Sequence, residues 1–527
     1  MLQANLEMGV IGNGSFGALI DRHARVVWSC LPAFDGDPAF CALLSPRGHD
    51  GGDFAIELED YAGSEQHYIT NTAILRTVLR DAHGGQVEVI DFAPRWRRND
   101  RFYRPPSLIR RIRPLAGNPR IRVLARPLAD WGARVPECTW GSNHLRWLLP
   151  GFTLRLTTDV PVRFIREALP FVLAHPMELV LGVDEPLDRS LASYAQEAQQ
   201  RTEDYWREWT RYLSIPLEWQ DAVIRSAITL KLCQYEDSGA IIAAMTTSIP
   251  EAPGSARNWD YRYCWLRDAA FVVRTLNRLG ATRTMEDFLR YIFNLATTDG
   301  SLQPLYGIGL EERLDEHEVP SLAGYRGMGP VRRGNLAWLQ RQHDVYGSVV
   351  LASTQLFFDQ RLNDPGDVHT FARLEPLGER AYALHDVPDA GLWEFRGRTA
   401  VHTYTAAMCW AACDRLAKIA VRLELGERAT LWRERADLIR ERVLARGWNA
   451  QRGHFTDTLD GTHLDASLLL LADIGFIDAD DPRYVATVEA IGHGLRRGDA
   501  LFRYVAPDDF GAPETSFTIC TFWYIDA

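Results

Sequence analysis

The spacing of apolar residues changes once along this chain. Up to about residue 190 it has period two. Phe152-Thr-Leu-Arg-Leu-Thr-Thr puts Phe152, Leu154 and Leu156 on one face and Thr153, Arg155 and Thr157 on the other. Val87-Glu-Val-Ile-Asp91 alternates in the same way after a Gly84-Gly85 turn, and Ala116-Gly-Asn-Pro and Pro150-Gly add turn signals. Short strands with regular turns predict an antiparallel β-sandwich over residues 1–190. It reads as a packing domain, with no catalytic pattern. Beyond residue 190 the period becomes helical. Ser193 to Leu213 is polar and helical, a linker helix within 191–216. From Leu217, helical runs are predicted over 217–235, 267–279, 345–360, 402–423, 427–446, 464–473, 483–496 and 515–527. The loops between them, 236–266, 298–342, 387–401 and 497–514, hold most of the Gly, Trp and Arg clusters. Residues 217–527 therefore read as an all-helical domain whose loops build the site.

The final run, Phe517-Thr-Ile-Cys-Thr-Phe-Trp-Tyr-Ile-Asp-Ala527, halts without Gly, Pro or a basic cap. An incomplete C-terminus is expected on that ground. Glu514 reads as a capping charge at the start of this helix.

With 527 residues the chain can build two domains and a large core. Its formal net charge of −11 argues against nucleic acid or an anionic membrane surface and for an uncharged ligand. The start, Met-Leu-Gln-Ala-Asn-Leu-Glu, has neither a basic region nor an apolar core of a secretory signal. No apolar run approaches the roughly 18–20 residues of a spanning helix. Eight cysteines are scattered without CxxC or metal-type spacing, and Cys409 and Cys413 lie one helical turn apart as expected buried thiols. A cytoplasmic protein is expected.

The densest chemistry lies in Asn258-Trp-Asp-Tyr-Arg-Tyr-Cys-Trp-Leu-Arg-Asp268, which runs into a helix carrying Phe271, Val272, Leu276 and Leu279 before a Gly280 stop. Buried charge is costly unless paired. Arg267-Asp268 is thus either an internal salt bridge or a polar grip at the top of a helix. Trp259, Tyr261, Tyr263 and Trp265 crowd the same residues, and flat apolar faces beside charged hydrogen-bonders suit a sugar.

This stretch resembles glycoside hydrolase family fifteen, the inverting exo-α-glucosidases that include glucoamylases and bacterial trehalases. So do Ile11-Gly-Asn-Gly-Ser-Phe-Gly-Ala-Leu-Ile20, Val27-Trp-Ser-Cys-Leu-Pro-Ala-Phe-Asp35, Gly324-Tyr-Arg-Gly327, His343-Asp-Val-Tyr-Gly347, Gly391-Leu-Trp-Glu-Phe-Arg-Gly397 and Phe502-Arg-Tyr504, in the family's order. The resemblance implies an (α/α)6 toroid after the sandwich, here lacking its closing helix. It also implies two carboxyl groups about 6.5–9.5 Å apart, one to protonate the leaving oxygen and one to activate water. On its own, a loop Glu beside Arg396 is more often a plain salt bridge. The resemblance makes Glu394 the general acid, and its neighbours Trp393 and Phe395 should raise its pKa. No residue here resembles the family's general base. Arg267 and Asp268 match the grip on the terminal glucose, Tyr261 and Trp265 the aromatics beside it, and Arg503 an arginine near the scissile bond. A carboxylate such as Asp508 is the ordinary partner for Arg503 otherwise. Tyr325 and Trp393 complete the expected sugar-binding set. Met328-Gly329 stands where fungal relatives carry a tryptophan, which favours a short substrate; His343 and Ser348 also depart from the commoner bacterial pattern. Trp338 and Trp448 suit core packing better than sugar platforms.

The function expected is exo-acting, inverting hydrolysis releasing β-D-glucose from α-glucans or from trehalose. An α,α-trehalase is one alternative, and a non-catalytic glucan-binding protein on the same fold is another. A β-glucan hydrolase or polysaccharide lyase on another α-toroid fits the motif order less well. The partner is a small neutral oligosaccharide or glucan, and no cofactor or metal is expected.

Overall fold

The computed structural model describes residues 5–45, 51–295, 300–362 and 365–527. The signal-peptide reading of the N-terminus falls partly outside the described residues, as do positions 298 and 299 of one expected loop.

Two antiparallel sheets stand where the period-two pattern lies. The first runs in the order Met8–Gly12, Gly17–Asp21, Arg25–Cys30, Asp53–Leu58, Arg120–Arg126 and Phe171–Val172, with Pro38–Phe40 added on Arg25–Cys30. The second runs in the order Cys138–Trp140, His144–Leu149, Phe152–Thr158, Met177–Val183, Leu108–Ala116, Gln86–Phe92, Leu75–Asp81 and Tyr61–Tyr68. Ile20, Phe54, Ile56 and Val123 of the first sheet meet Leu79, Val89, Ile112 and Leu156 of the second in one core. In Phe152–Thr158 the register sets Leu154 between Trp147 and Val183. The polar face of that strand is covered too. Arg155 and Thr157 are buried, with Arg155 bonded to Thr157 at 3.0 Å and Asp184 at 3.2 Å.

A short helix α1 (Val162–Arg166) interrupts the strands, and α2 (Leu191–Arg211) follows them. Ser190 caps α2, accepting from the Ser193 amide. Ala195 and Ala198 of α2 lie on Ile90, Phe92 and Ile109, so this helix covers the outer face of the second sheet. The helical region continues through α3 (Gln220–Leu232), α4 (Leu266–Arg278), α5 (Thr282–Leu295), α6 (Asp344–Phe358), α7 (Val368–Leu384), α8 (Thr403–Arg422), α9 (Gly426–Gly447), α10 (Leu470–Asp473), α11 (Pro482–Gly494) and α12 (Thr518–Asp526). Helices α4, α6 and α8 pack side by side, with α5, α7 and α9 against them. Helix α8 is buried on nearly every side, which its Ala-rich sequence permits.

Helices α5 and α7 were not expected from the sequence. Helix α5 begins two residues after the stop at Gly280, which takes φ +90°, so two helices crowd one turn. Helix α7 carries Pro376 and Gly378, which read as breakers. Its glycine is needed for packing: a β-carbon at Gly378 would stand 2.2 Å from Leu416 and 2.6 Å from Trp432. At the other end, α12 starts at Thr518 with no side-chain cap on Phe517 and no acidic residue in its first turn. Glu514 lies outside the helix and does not cap it, which corrects the sequence reading.

Sheet region and helical region are joined by polar contacts. Buried Glu236 accepts from Arg95 at 2.8 Å and pairs with Lys231. The Trp28 indole donates to the Met245 carbonyl at 2.8 Å. Arg262, paired with Asp260 at 2.8 Å, donates to the Gly36 carbonyl at 2.8 Å.

Inside the sandwich, Arg110 is fully buried and bonded to Asp91 at 2.7 and 3.1 Å and to the Phe54 carbonyl at 2.7 Å. Removing one partner of such a pair strands a charge. Asp91→Ala should lose about 3–5 kcal/mol in urea denaturation, and Asp91→Ala with Arg110→Met should recover most of it. Equal losses in the single and double variants would count against a stranded charge as the cause.

Candidate active site

A cavity of about 540 Å³ with mixed polar and aromatic lining opens beside the helical region. It is lined by Glu251, Tyr261, Trp265, Arg267, Asp268, Trp393, Glu394 and Arg503, among others. A second cavity of about 270 Å³ runs along α4, α6 and α8 on the far side of Arg267 and is mainly apolar. The size and chemistry of the first suit a small polar ligand.

Each wall has a local cause. Trp265 ends a two-residue strand paired with Leu305 and then begins α4, so its indole and the Arg267 side chain share the first turn. Both are nearly fully buried, whereas the Asp268 side chain is 48% exposed and opens on the cavity. Arg267 lies 3.8 Å from Asp268 but donates to Asp344 at 3.2 Å and to Gln342 at 2.8 Å. The two sequence readings thus combine: Arg267 is internally paired, through Asp344, while still lining the cavity floor, and Asp268 is turned to the cavity.

Glu394 sits in the loop between α7 and α8, whose base is closed by two backbone bonds between Asp389 and Ala400. Its φ is +63°, a conformation uncommon outside glycine. The tight turn is fixed by Glu394 N–H to the Gly391 carbonyl and Phe395 N–H to the Ala390 carbonyl, at 3.2 and 3.1 Å. Among the described residues, the hydrogen bonds to its carboxyl fall on Oε1: from the Trp265 indole at 2.6 Å and from Arg267 and Gln342, each at 3.4 Å. Burial raises its pKa above the usual glutamate range, against the opposing pull of Arg267 and the Trp265 bond. Arg396 is not its partner. That guanidinium pairs with Glu316 at 3.0 Å and lies 4.0 Å over the Trp259 ring.

Behind the loop, Trp393 donates its indole N–H to Asp465 at 2.8 Å and packs against Tyr504, Phe517 and Trp523. Burial pushes the Asp465 carboxyl up to about 6. Asp389 accepts the His343 amide at 2.8 Å on one oxygen, its other oxygen has no hydrogen-bond partner among the described residues, and burial pushes it up to about 7. Arg503 binds Glu251 at 2.8 Å; Asp508 is taken by Arg257 at 2.6 and 2.8 Å, which replaces the expected Arg503–Asp508 pair. Burial also raises the Tyr261 hydroxyl pKa, with Glu251 and Glu394 adding to it.

Seven of the eight residues expected at the site from sequence line this cavity. Tyr325 does not. It is buried with Trp28, Cys41, Leu43 and Leu322 at the junction with the sheet region, carried there by a tight turn that bridges it to Met328. Trp338 packs beside Tyr261 and Trp265, and Trp448 stands edge-on to Phe455 at 5.5 Å. Trp259, one of the aromatics the sequence sets beside Arg267-Asp268, lines the cavity as well, whereas the sequence gives no role to Asp344, Gln342 or Glu251. Asp344 lies within the His343–Gly347 motif; Gln342 and Glu251 are brought to the site by long-range folding that has no local signal. Among the described residues no group of three His, Cys, Asp or Glu is arranged to hold a metal ion, and no helix is long and apolar enough to cross a membrane.

A family model for glycosyl hydrolases family 15 matches residues 218–527, and one for a trehalase-like N-terminal domain matches residues 5–145. The chain belongs to glycosyl hydrolases family 15 and is a glycoside hydrolase. It is 33% identical to a trehalase of Mycobacterium tuberculosis H37Rv, over 97% of this chain and 79% of that one. It is 30% identical to a trehalase of Thermoplasma volcanium, over 98% of this chain and 83% of that one. A crystal structure of a bacterial glucoamylase complexed with acarbose superposes with a TM-score of 0.66 at 14% identity, over 98% of this chain and 84% of that chain. The fold is therefore glucoamylase-like, an N-terminal antiparallel sheet region followed by a helical region.

The buried Asp389 gives a pH test. Its folded pKa, about 7 against an ordinary 3.8, lies above the unfolded value, so the fold is penalised as the carboxyl ionises and stability falls as pH rises between them. Relative to Asp389→Asn, the wild type should lose about 1–3 kcal/mol between pH 5 and pH 8 in chemical denaturation. A gap between the two that does not change with pH would contradict it.

Proposed function

We propose that this glycoside hydrolase is an exo-acting, inverting α-glucosidase that releases β-D-glucose, with an α,α-linked glucose disaccharide as its preferred substrate. The observation that carries this reading is the one-sided carboxyl of Glu394. Three donors occupy Oε1, so a proton kept by burial resides on Oε2, where it can pass to the glycosidic oxygen. Arg267 and Asp268 would clasp the hydroxyls of the terminal glucose, with Tyr261, Trp265 and Trp393 against its faces. Arg503 would stand near the bond being cut. The extended likeness to two trehalases favours trehalose over a long α-glucan.

The other carboxylates in the cavity are engaged. Glu251 is tied to Arg503, Asp508 to Arg257, and Asp509 to the amides of Arg396 and Gly397. None of them is proposed as the water-activating base. The domain division we propose is a β-sandwich over 1–190, a linker over 191–216 and helices over 217–527 that follow the (α/α)6 toroid, with α4, α6 and α8 on its inner side. Eight free thiols favour a reducing compartment such as the cytoplasm.

The test is proton NMR of the first product from trehalose and from maltose. Trehalose should give equal amounts of β-glucose and α-glucose before mutarotation, because the leaving sugar keeps its α configuration; maltose should give β-glucose from its non-reducing unit; and Glu394→Gln should lower turnover by about 10²–10⁴-fold. Only α-glucose from trehalose, α-glucose from the non-reducing unit of maltose, or an unimpaired variant would overturn the mechanism.

A further inference from the structure

The cavity has a deep end and an open end. Trp265 and Arg267 at the bottom are buried to 3% and 8% exposure. The mouth carries Trp259, Arg396 and a turn at 508–511 whose Phe510 is 43% exposed. That turn is closed on itself by backbone bonds between Asp508 and Gly511 in both directions, at 3.0 and 3.1 Å. Three separate anchors hold it over the mouth. Asp508 accepts two bonds from Arg257, at 2.6 and 2.8 Å, and one from the Tyr504 hydroxyl. Asp509 accepts from the backbone amides of Arg396 at 2.6 Å and Gly397 at 2.9 Å, on the same loop as Glu394. Phe510 stands edge-on to Trp259 at 5.4 Å, and the Arg396 and Arg332 guanidinium groups lie over the same indole at 4.0 and 5.4 Å.

The closeness of the second anchor explains the glycine that follows Arg396. A β-carbon on Gly397 would stand 2.4 Å from Asp509 Oδ1. Oδ1 cannot swing aside without breaking the bond it receives from the Gly397 amide. The Arg-Gly pair after Phe395 thus serves a contact between two loops, and the turn is a fixed wall.

A glucoside that enters with its terminal sugar on Arg267 and Asp268 has its scissile oxygen at Glu394, and its next sugar near Trp259 and Arg396. Whatever follows that second sugar must leave past Phe510 and Asp509. We infer that the turn 508–511 is the specificity-determining wall that confines the site to two sugars, with Asp509 holding it in register with the Glu394 loop. This rests on the reading of the cavity as an α-glucoside site. The wall excludes longer α-glucans by occupying the space of a third sugar, and the Asp509 bonds keep it from yielding.

The test measures binding, so that it does not depend on turnover. Calorimetry on the full chain carrying Glu394→Gln compares trehalose, maltose and maltotetraose, with and without Asp509→Ala and, separately, Phe510→Ala. Thermal melting confirms that each variant is folded, and Phe510→Ala leaves the Arg396 and Gly397 amide bonds in place. With the wall intact, maltotetraose should bind about tenfold or more weakly than the better of the two disaccharides. Either variant should narrow that ratio to within about threefold or reverse it. If a disaccharide binds and the ratio is unmoved by both variants, the wall is overturned while the glucoside site stands. If none of the three sugars binds any form, the glucoside reading falls and takes the wall with it.

Discussion

A single buried guanidinium sets the terms for the rest of the site. Arg267 lies in the first turn of α4 and is held by Asp344 and Gln342 from the loop that starts α6. It then reaches Glu394 from the side, together with Trp265 and Gln342, and all three approach the same oxygen. Charge-assisted bonds of this kind are strong enough to fix a carboxyl in one orientation. Burial acts the other way on the proton, disfavouring the ionised form. One oxygen is fixed and the other is left to the cavity, with a proton affinity above that of an ordinary glutamate.

The same stretch of chain also binds the two regions together. In Asn258 to Asp268, the pair Asp260–Arg262 is fully buried and faces the sheet region, where Arg262 reaches the Gly36 carbonyl. Five and six residues on from Arg262, Arg267 and Asp268 serve the cavity. Turning from one task to the other takes only the short strand Cys264–Trp265 and its pairing with Leu305–Tyr306. The sheet region thus acts on the site through packing: it supports the loop whose far end carries the grip. Tyr325 belongs to that support, buried against Trp28 and Leu43.

The sequence was most legible where the physics is local. The alternation in Phe152–Thr158, the Gly280 stop and the long apolar face of α8 each need only near neighbours to be read. The densest charged and aromatic stretch was visible as a site because a buried charge demands a partner. The identity of that partner was not, since Asp344 lies 77 positions further along the chain than Arg267. Sequence adjacency misled in three places. Arg396 beside Glu394 pairs elsewhere, Arg503 takes Glu251 and leaves Asp508 to Arg257, and Glu514 does not cap the helix it precedes. Helix α7 was hidden by Pro376 and Gly378, because the packing that makes a glycine useful there comes from α8 and α9. Long-range pairing decides each of these, and period or propensity carries no trace of it.

The most direct measurement is the ionisation of Glu394 itself, read by ¹³C NMR of labelled glutamate carboxyls and assigned by difference against Glu394→Gln. A midpoint above the usual glutamate range is expected, and it should rise further in Trp265→Phe, which removes a bond that favours the charged form. A midpoint at or below the usual range would mean that the guanidinium outweighs burial, and the carboxyl could not then hold the proton that the site requires.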